Sequence, residues 1–173
     1  MSFNNWPELL KGECVSITRT TSAHLASFTD SRKWEGKIDL LEEEEVFLSQ
    51  KERVRRLSLI NNSKSNQLLL TVLNNQDNQV ISLLEFYFLE KEIYGTNWIL
   101  KKVKNGLELA YEASELILTQ IFTDENVESI LFDLPEYRTE SASILMNLGF
   151  IEVSYYYRLD RNDNYKKMIT FKL

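Results

Sequence analysis

The chain reads as an α/β fold of the α+β kind, with a mixed, mostly antiparallel sheet of about six to seven strands, one parallel pair, and about four flanking helices. Three observations predict it. Stretches rich in β-formers alternate with stretches whose apolar residues recur at helical spacing. A strand, a helix and another strand follow one another between Gly95 and Leu134, and a crossover of that kind makes a parallel pair. The 173 residues, 43% of them hydrophobic, suffice for one sizeable core, so residues 1–173 are taken as a single domain. Only five glycines and two prolines interrupt the chain, and no linker or repeat divides it.

Residues 13–19 alternate weakly, with Val15 and Ile17 against Ser16 and Thr18, and suit a first strand. Thr21 or Ser22 then caps a short helix through Phe28. After an irregular acidic span, Ser49-Gln50-Lys51-Glu52 has the capping-box spacing and opens a helix towards Leu59. Residues 67–73 and 80–89 are apolar runs around the turn-forming cluster Asn74-Asn75-Gln76-Asp77-Asn78-Gln79, which predicts a hairpin. A strand follows over 95–102. The spacing of Leu109, Ala113, Leu116, Ile117 and Ile121 predicts a helix over 108–122. Residues 129–134 read as a buried strand, 139–148 as an amphipathic helix stopped by Gly149, and 152–159 with 167–173 as a closing antiparallel pair.

Composition removes several function classes. Cys14 is the single cysteine and His24 the single histidine, so no internal disulfide forms and no Cys/His set has metal-ligand spacing. Both are read as structural. A net charge of −6 and the acidic run from Glu42 to Glu45 argue against a nucleic-acid footprint. The apolar stretches are far shorter than the roughly 20 residues that span a bilayer. Met1 to Trp6 lacks the basic start and apolar stretch of a secretory signal, so the expected location is the cytoplasm.

The predicted order of elements, together with particular residues, resembles the Gcn5-related N-acetyltransferases (GNAT), in their ribosomal-protein-acetylating branch. The opening Leu10-Lys11-Gly12-Glu13-Cys14-Val15-Ser16-Ile17-Thr18-Arg19, followed by His24-Leu25, is similar to that branch's start, although Arg19 falls one residue late. Glu112-Ala113 and Phe122 resemble the family's cofactor helix. Ser141 with Leu148-Gly149-Phe150 resembles its "serine … leucine-glycine-phenylalanine". These pieces fit one gap-free register.

The resemblance implies acetyl-CoA as cofactor and an amine, on a protein N-terminus or a small molecule, as acceptor. It implies a splay between the fourth and fifth strands that admits the pantetheine arm. Carried over in register, the cofactor-binding positions are Leu100, Lys101, Lys102, Asn105, Gly106, Glu108, Leu109, Ala110, Arg138 and Ser141. The family loop runs Gln/Arg-x-x-Gly-x-Gly/Ala, whose glycines let helix N-terminal amides receive a pyrophosphate. Here it is Asn105-Gly106-Leu107-Glu108-Leu109-Ala110, with Glu108 in the place of the central glycine. A carboxylate about 4 Å from a phosphate costs roughly 4 kcal/mol at an effective dielectric of about 20, which weakens binding about a thousandfold. Without a phosphate, Glu108 simply stabilises the first turn by about 0.3–1 kcal/mol.

Arg138 stands where the family usually has an asparagine. Two alternatives stay open for it: a pair with Glu108 that closes part of the splay, or a phosphate ligand aided by Lys101, Lys102 and Lys104. For the base that takes the amine's proton, Glu85 is the candidate, with Tyr87 on the same face of its strand. Many relatives carry a tyrosine acid four residues after the serine; here that place is Leu145. Tyr155, Tyr156 and Tyr157 either line an acceptor pocket or pack on a helix, and Trp98 is expected in the core. The functional expectation is an acetyl-CoA-dependent N-acetyltransferase. The alternative is an inactive module of the same fold with a partly closed cleft, binding a partner protein or forming a homodimer.

Overall fold

The computed structural model describes residues 6–29, 37–39, 58, 66–101, 105–159 and 164–173; of residues 28–29, 37–39, 96–101 and 140 it describes the backbone. The elements are β1 (Leu9–Lys11), β2 (Val15–Arg19), α1 (Ser22–Thr29), β3 (Lys37–Asp39), β4 (Gln67–Asn74), β5 (Val80–Leu89), β6 (Glu92–Lys101), α2 (Gly106–Ile121), β7 (Ser129–Pro135), α3 (Thr139–Asn147), β8 (Ile151–Leu159) and β9 (Tyr165–Lys172). The helix expected from Ser49 lies outside the described residues.

The strands form one sheet in the order β1-β2-β4-β5-β6-β7-β9-β8, with β3 paired on β6. Every described pairing is antiparallel except β6 with β7. The expected sheet with one parallel pair is therefore present, enlarged by the three-residue strands β1 and β3, which are too short to carry a period-2 signal. Strand β6 begins three residues before its expected start at Gly95. Glu90 supplies the turn with a left-handed φ of 56°, a conformation its residue type does not announce.

Alternation along the strands sorts side chains onto two faces. One carries Val15, Ile17, Leu68, Leu70, Leu84, Phe86, Ile93, Ile130, Phe132 and Phe171, which join Leu109, Ala113 and Ile117 of α2 and Ile144 and Leu145 of α3 in the main core. Leu109, Ala113, Ile117 and Ile121 are all buried, as their spacing predicts, and burial of each large side chain contributes about 1.5–3 kcal/mol. The opposite face carries Leu69, Leu83 and Leu131, but also Thr71, Glu85, Tyr87, Tyr94, Asp133 and Thr170, and α1 packs on it at β5.

Local chemistry sets the element ends. Thr21 and His24 satisfy each other's backbone at the start of α1: the His24 N–H donates to Thr21 Oγ1 (3.1 Å) and the Thr21 N–H to His24 Nδ1 (3.3 Å). This makes His24 a capping residue, and burial lowers its pKa. Gly149 ends α3 with a φ of 95°. Glu112 on α2 accepts the Cys14 N–H with both carboxylate oxygens, at 3.0 and 3.2 Å, and so fastens the β1–β2 turn to the helix.

Candidate active site

The parallel ladder of β6 and β7 is a fork. It runs from Glu92 opposite Ser129 to Gly95 opposite Phe132 and stops there, although β6 continues to Lys101 and β7 to Pro135. Glu85 of β5 faces Asn97 while Phe86 faces Gly95, so Thr96 is an extra residue on β6. Such a bulge bends its strand and raises the twist. At the crotch the Phe132 ring lies where a side chain on Gly95 would be: an ideal Cβ there falls 1.7 Å from Phe132 Cε1. The ring is held by edge contacts with Phe86 (centroids 6.0 Å) and Phe150 (5.5 Å), so glycine is the residue that fits the last paired position.

The fork-facing edge of β6 is partly covered. Leu100 pairs with Ser82 of β5 and also with Ile38 of β3, which places β3 on the edge that β7 has left. The backbone of the expected cofactor positions Leu100 and Lys101 is thus in the β3 ladder, while Lys102 lies outside the described residues. The side chains of Lys101 and Trp98 are not among those described.

Beyond β6, Asn105 takes the left-handed conformation (φ 58°, ψ 25°) and makes no side-chain cap, so its own side chain leaves the first-turn amides of α2 uncovered. Gly106, Leu109 and Ala110 are buried against the sheet. At 100° per residue, Glu108 points away from that buried line and towards Glu112. Both line a cleft of about 400 Å³ with Cys14, Asn74, Asp77 and Asn105, beside β2 and the β4–β5 turn. The other flank of α2 faces α3, where the Tyr111 hydroxyl donates to the Asn147 carbonyl (2.9 Å).

Arg138 is the N-cap residue of α3, with its guanidinium 5.5 Å from the centre of the Tyr137 ring. Among the described residues no hydrogen bond or ion pair joins it to Glu108. Of the two alternatives for Arg138, the closing pair is therefore not formed: Glu108 lines the cleft beside β2 and the β4–β5 turn, and Arg138 stands at the start of α3. Ser141 is buried in the first turn of α3, and Leu145 is a core residue at 2% exposure, which leaves no acid at that position.

Sequence reasoning missed the residue at the mouth of the fork. Asp133 is the first residue after the last parallel pair, and alternation puts it on the face opposite Phe132 and α2. Thr170, opposite it on β9, donates to Asp133 Oδ1 (2.7 Å), and the Tyr156 hydroxyl on β8 donates to Oδ2 (2.9 Å). Tyr87 and Tyr94 stack beside it with centroids 5.2 Å apart and planes 11° apart. Burial and then the Asp133 carboxylate push the Tyr87 hydroxyl up. Burial, with the hydrogen bond and charge of Asp133, pushes Tyr156 up to about 12. Glu85 is on the same face at 2% exposure, more deeply buried than its expected role implied. The signal for Asp133 was there to be read: it is the one charged residue in the apolar strand Ser129–Pro135.

The three tyrosines of β8 do not act together. Tyr156 turns to Asp133, whereas Tyr155 and Tyr157 stand in solvent at 60% and 61% exposure with their rings edge to face (6.2 Å). Packing on a helix is thus not their role. Cys14 is exposed rather than buried, and desolvation and the Glu112 carboxylate raise its pKa.

An N-terminally uncapped helix beside a forked parallel pair defines the fold class, and comparison with solved structures agrees: the fold is that of the GNAT acetyltransferases. An acetyltransferase of the GNAT family from Bacillus anthracis superposes with a TM-score of 0.71 at 15% identity, over 95% of this chain and 97% of that one. The ribosomal-protein-S5-alanine acetyltransferase from Vibrio fischeri gives 0.72 at 16% identity, over 95% of each chain. A ribosomal L7/L12 alpha-N-protein acetyltransferase, in complex with coenzyme A, gives 0.73 at 11% identity, over 96% of this chain and 97% of that one. No family model matches the sequence, and no curated protein matches it as a sequence relative.

Proposed function

We propose that this chain is an acetyl-CoA-dependent N-acetyltransferase, a single catalytic domain working in the cytoplasm on a protein or small-molecule amine. One observation carries it: the β6–β7 ladder opens at Gly95 and Phe132 beside a helix N-terminus that its N-cap residue Asn105 leaves without a side-chain cap. Acetyl-CoA would supply an activated thioester. The first-turn amides of α2 would receive its phosphates, with Gly106 and Ala110 keeping that approach free of bulk. Lys101, Lys102 and Arg138 would add positive charge, and Leu100, Asn105, Leu109 and Ser141 complete the surroundings.

Glu108 weakens this less than its place in the motif suggests, because its carboxylate leans into the cleft with Cys14 and Glu112. The inactive-module alternative draws on Glu108, Arg138, Asn105 and Leu145; of the features that would close the fork, no Glu108–Arg138 pair is formed among the described residues. Strand β3 imposes a different requirement. Its three-residue ladder on Leu100 and Lys101 must give way wherever the pantetheine arm uses that edge.

Calorimetric titration with acetyl-CoA, alongside free CoA, tests the proposal. Binding at micromolar strength is the expected result. Absence of heat up to millimolar ligand would overturn it.

A further inference from the structure

We propose that Asp133, with Tyr87, Tyr94 and Tyr156, forms the acceptor subsite, which binds the amine as an alkylammonium cation and takes its proton on the Asp133 carboxylate. This deepens the acetyl-transfer reading and rests on it for the chemical step.

Position is the first argument. Asp133 lies one residue beyond the crotch of the fork, on the face opposite α2. An acyl donor lodged from the α2 side and an amine arriving from the other face therefore meet in the gap between the strands, with this carboxylate beside them. The second argument is free valence. An ionised carboxylate accepts about four hydrogen bonds, and the described bonds from Thr170 and Tyr156 take one on each oxygen. Each oxygen keeps a lone pair for an ammonium N–H.

The third argument is the aromatic setting. Tyr87 and Tyr94 present stacked rings next to the carboxylate, and a cation near such rings gains roughly 0.5–2 kcal/mol. Tyr156 keeps its proton to about 12, so it remains a donor to Asp133 rather than competing as a base. Among the described residues the other charged side chains on this face are Glu85 on β5, Glu92 on β6, Arg158 on β8, and Lys166 and Lys172 on β9. Lys172 is neutralised by Glu92 at 3.5 Å. The net charge of −6 favours a cationic acceptor before contact.

In the step itself one ammonium proton passes to Asp133. The freed nitrogen lone pair bonds to the acetyl carbonyl carbon, the carbon–sulfur bond breaks with its electrons going to sulfur, the nitrogen releases its second proton to solvent, and the sulfur takes a proton from solvent.

Asp133→Asn keeps the shape and removes the charge. Expected is a loss of 100-fold or more in kcat/KM for n-butylamine, with the acetyl-CoA Kd unchanged within twofold. Tyr156→Phe removes the described donor to Oδ2, and a fall in kcat/KM for n-butylamine smaller than that of Asp133→Asn is expected. Binding of butylammonium without acetyl-CoA, read from the Tyr87 and Tyr156 ring resonances, is expected in the parent and weakened at least tenfold in Asp133→Asn. Because that readout needs no thioester, failure of acetyl-CoA binding sinks the acetyl-transfer reading and leaves the subsite to be judged by itself. Ammonium binding or turnover that survives Asp133→Asn within threefold would overturn the subsite and return the base to Glu85.

Discussion

The β6–β7 pair is two structures in sequence. From Glu92 to Gly95 it is a closed parallel ladder backed by Phe86, Phe132 and Phe150; from Thr96 onward the same two strands face each other across a gap with Asp133 at its rim. The closed half buries rings and tolerates no new atoms. The open half holds a charged residue with its hydrogen-bonding shell. A sheet interior and a reaction site thus differ by one residue step, and the change is made by a bulge, a glycine and a wedged phenylalanine.

Breaking the closed half should have the largest effect. Phe132→Ala removes the ring that three elements share and is expected to cost about 3–5 kcal/mol in urea unfolding. Gly95→Ala drives a methyl into that ring and is expected to cost about 1–3 kcal/mol. In the Phe132→Ala background Gly95→Ala should become nearly neutral; additive losses would mean that the ring is not the reason for the glycine.

Next in size is Glu112→Ala, which leaves the Cys14 N–H without its acceptor and is expected to cost about 1 kcal/mol. The same change should speed the reaction of Cys14 with a disulfide reagent at neutral pH, because a neighbouring negative charge that holds the thiol protonated is gone. A smaller effect is expected for Glu108→Gln on acetyl-CoA affinity: threefold or less, since the side chain leans away from β7. A tenfold gain would show that the carboxylate does face the phosphates.

The smallest effect concerns pH. The Tyr156 pKa is raised by folding, so its contribution to stability is whole below about 10 and is lost as pH rises through about 12. The melting temperature should therefore fall more steeply over that window in the parent than in Tyr156→Phe; equal slopes would mean that the Asp133 bond does not hold the proton.

Much of the architecture was legible beforehand because it rests on local periodicity. The 3.6-residue spacing of Leu109, Ala113, Ile117 and Ile121, and the turn chemistry of Asn74 to Gln79, bring their elements into being with little help from distant contacts. Residues 105–110 begin α2, as the helical spacing after them predicts. What Glu108 faces could not be read from the sequence, because it depends on the residue's angle about the helix axis relative to the sheet. The tyrosine run 155–157 could not be resolved either, since alternation separates Tyr156 from its neighbours but does not say which face meets Asp133.

The sequence by itself therefore determined the order and kind of most elements, the parallel crossover and the start of α2, all consequences of spacing along one chain. Tertiary structure alone decided where the parallel ladder stops, which edge β3 covers, that Glu108 and Arg138 stay apart, and that Asp133, Thr170 and Tyr156 meet. Those outcomes depend on register between strands distant in sequence, and a one-residue change of register turns every side chain to the other face.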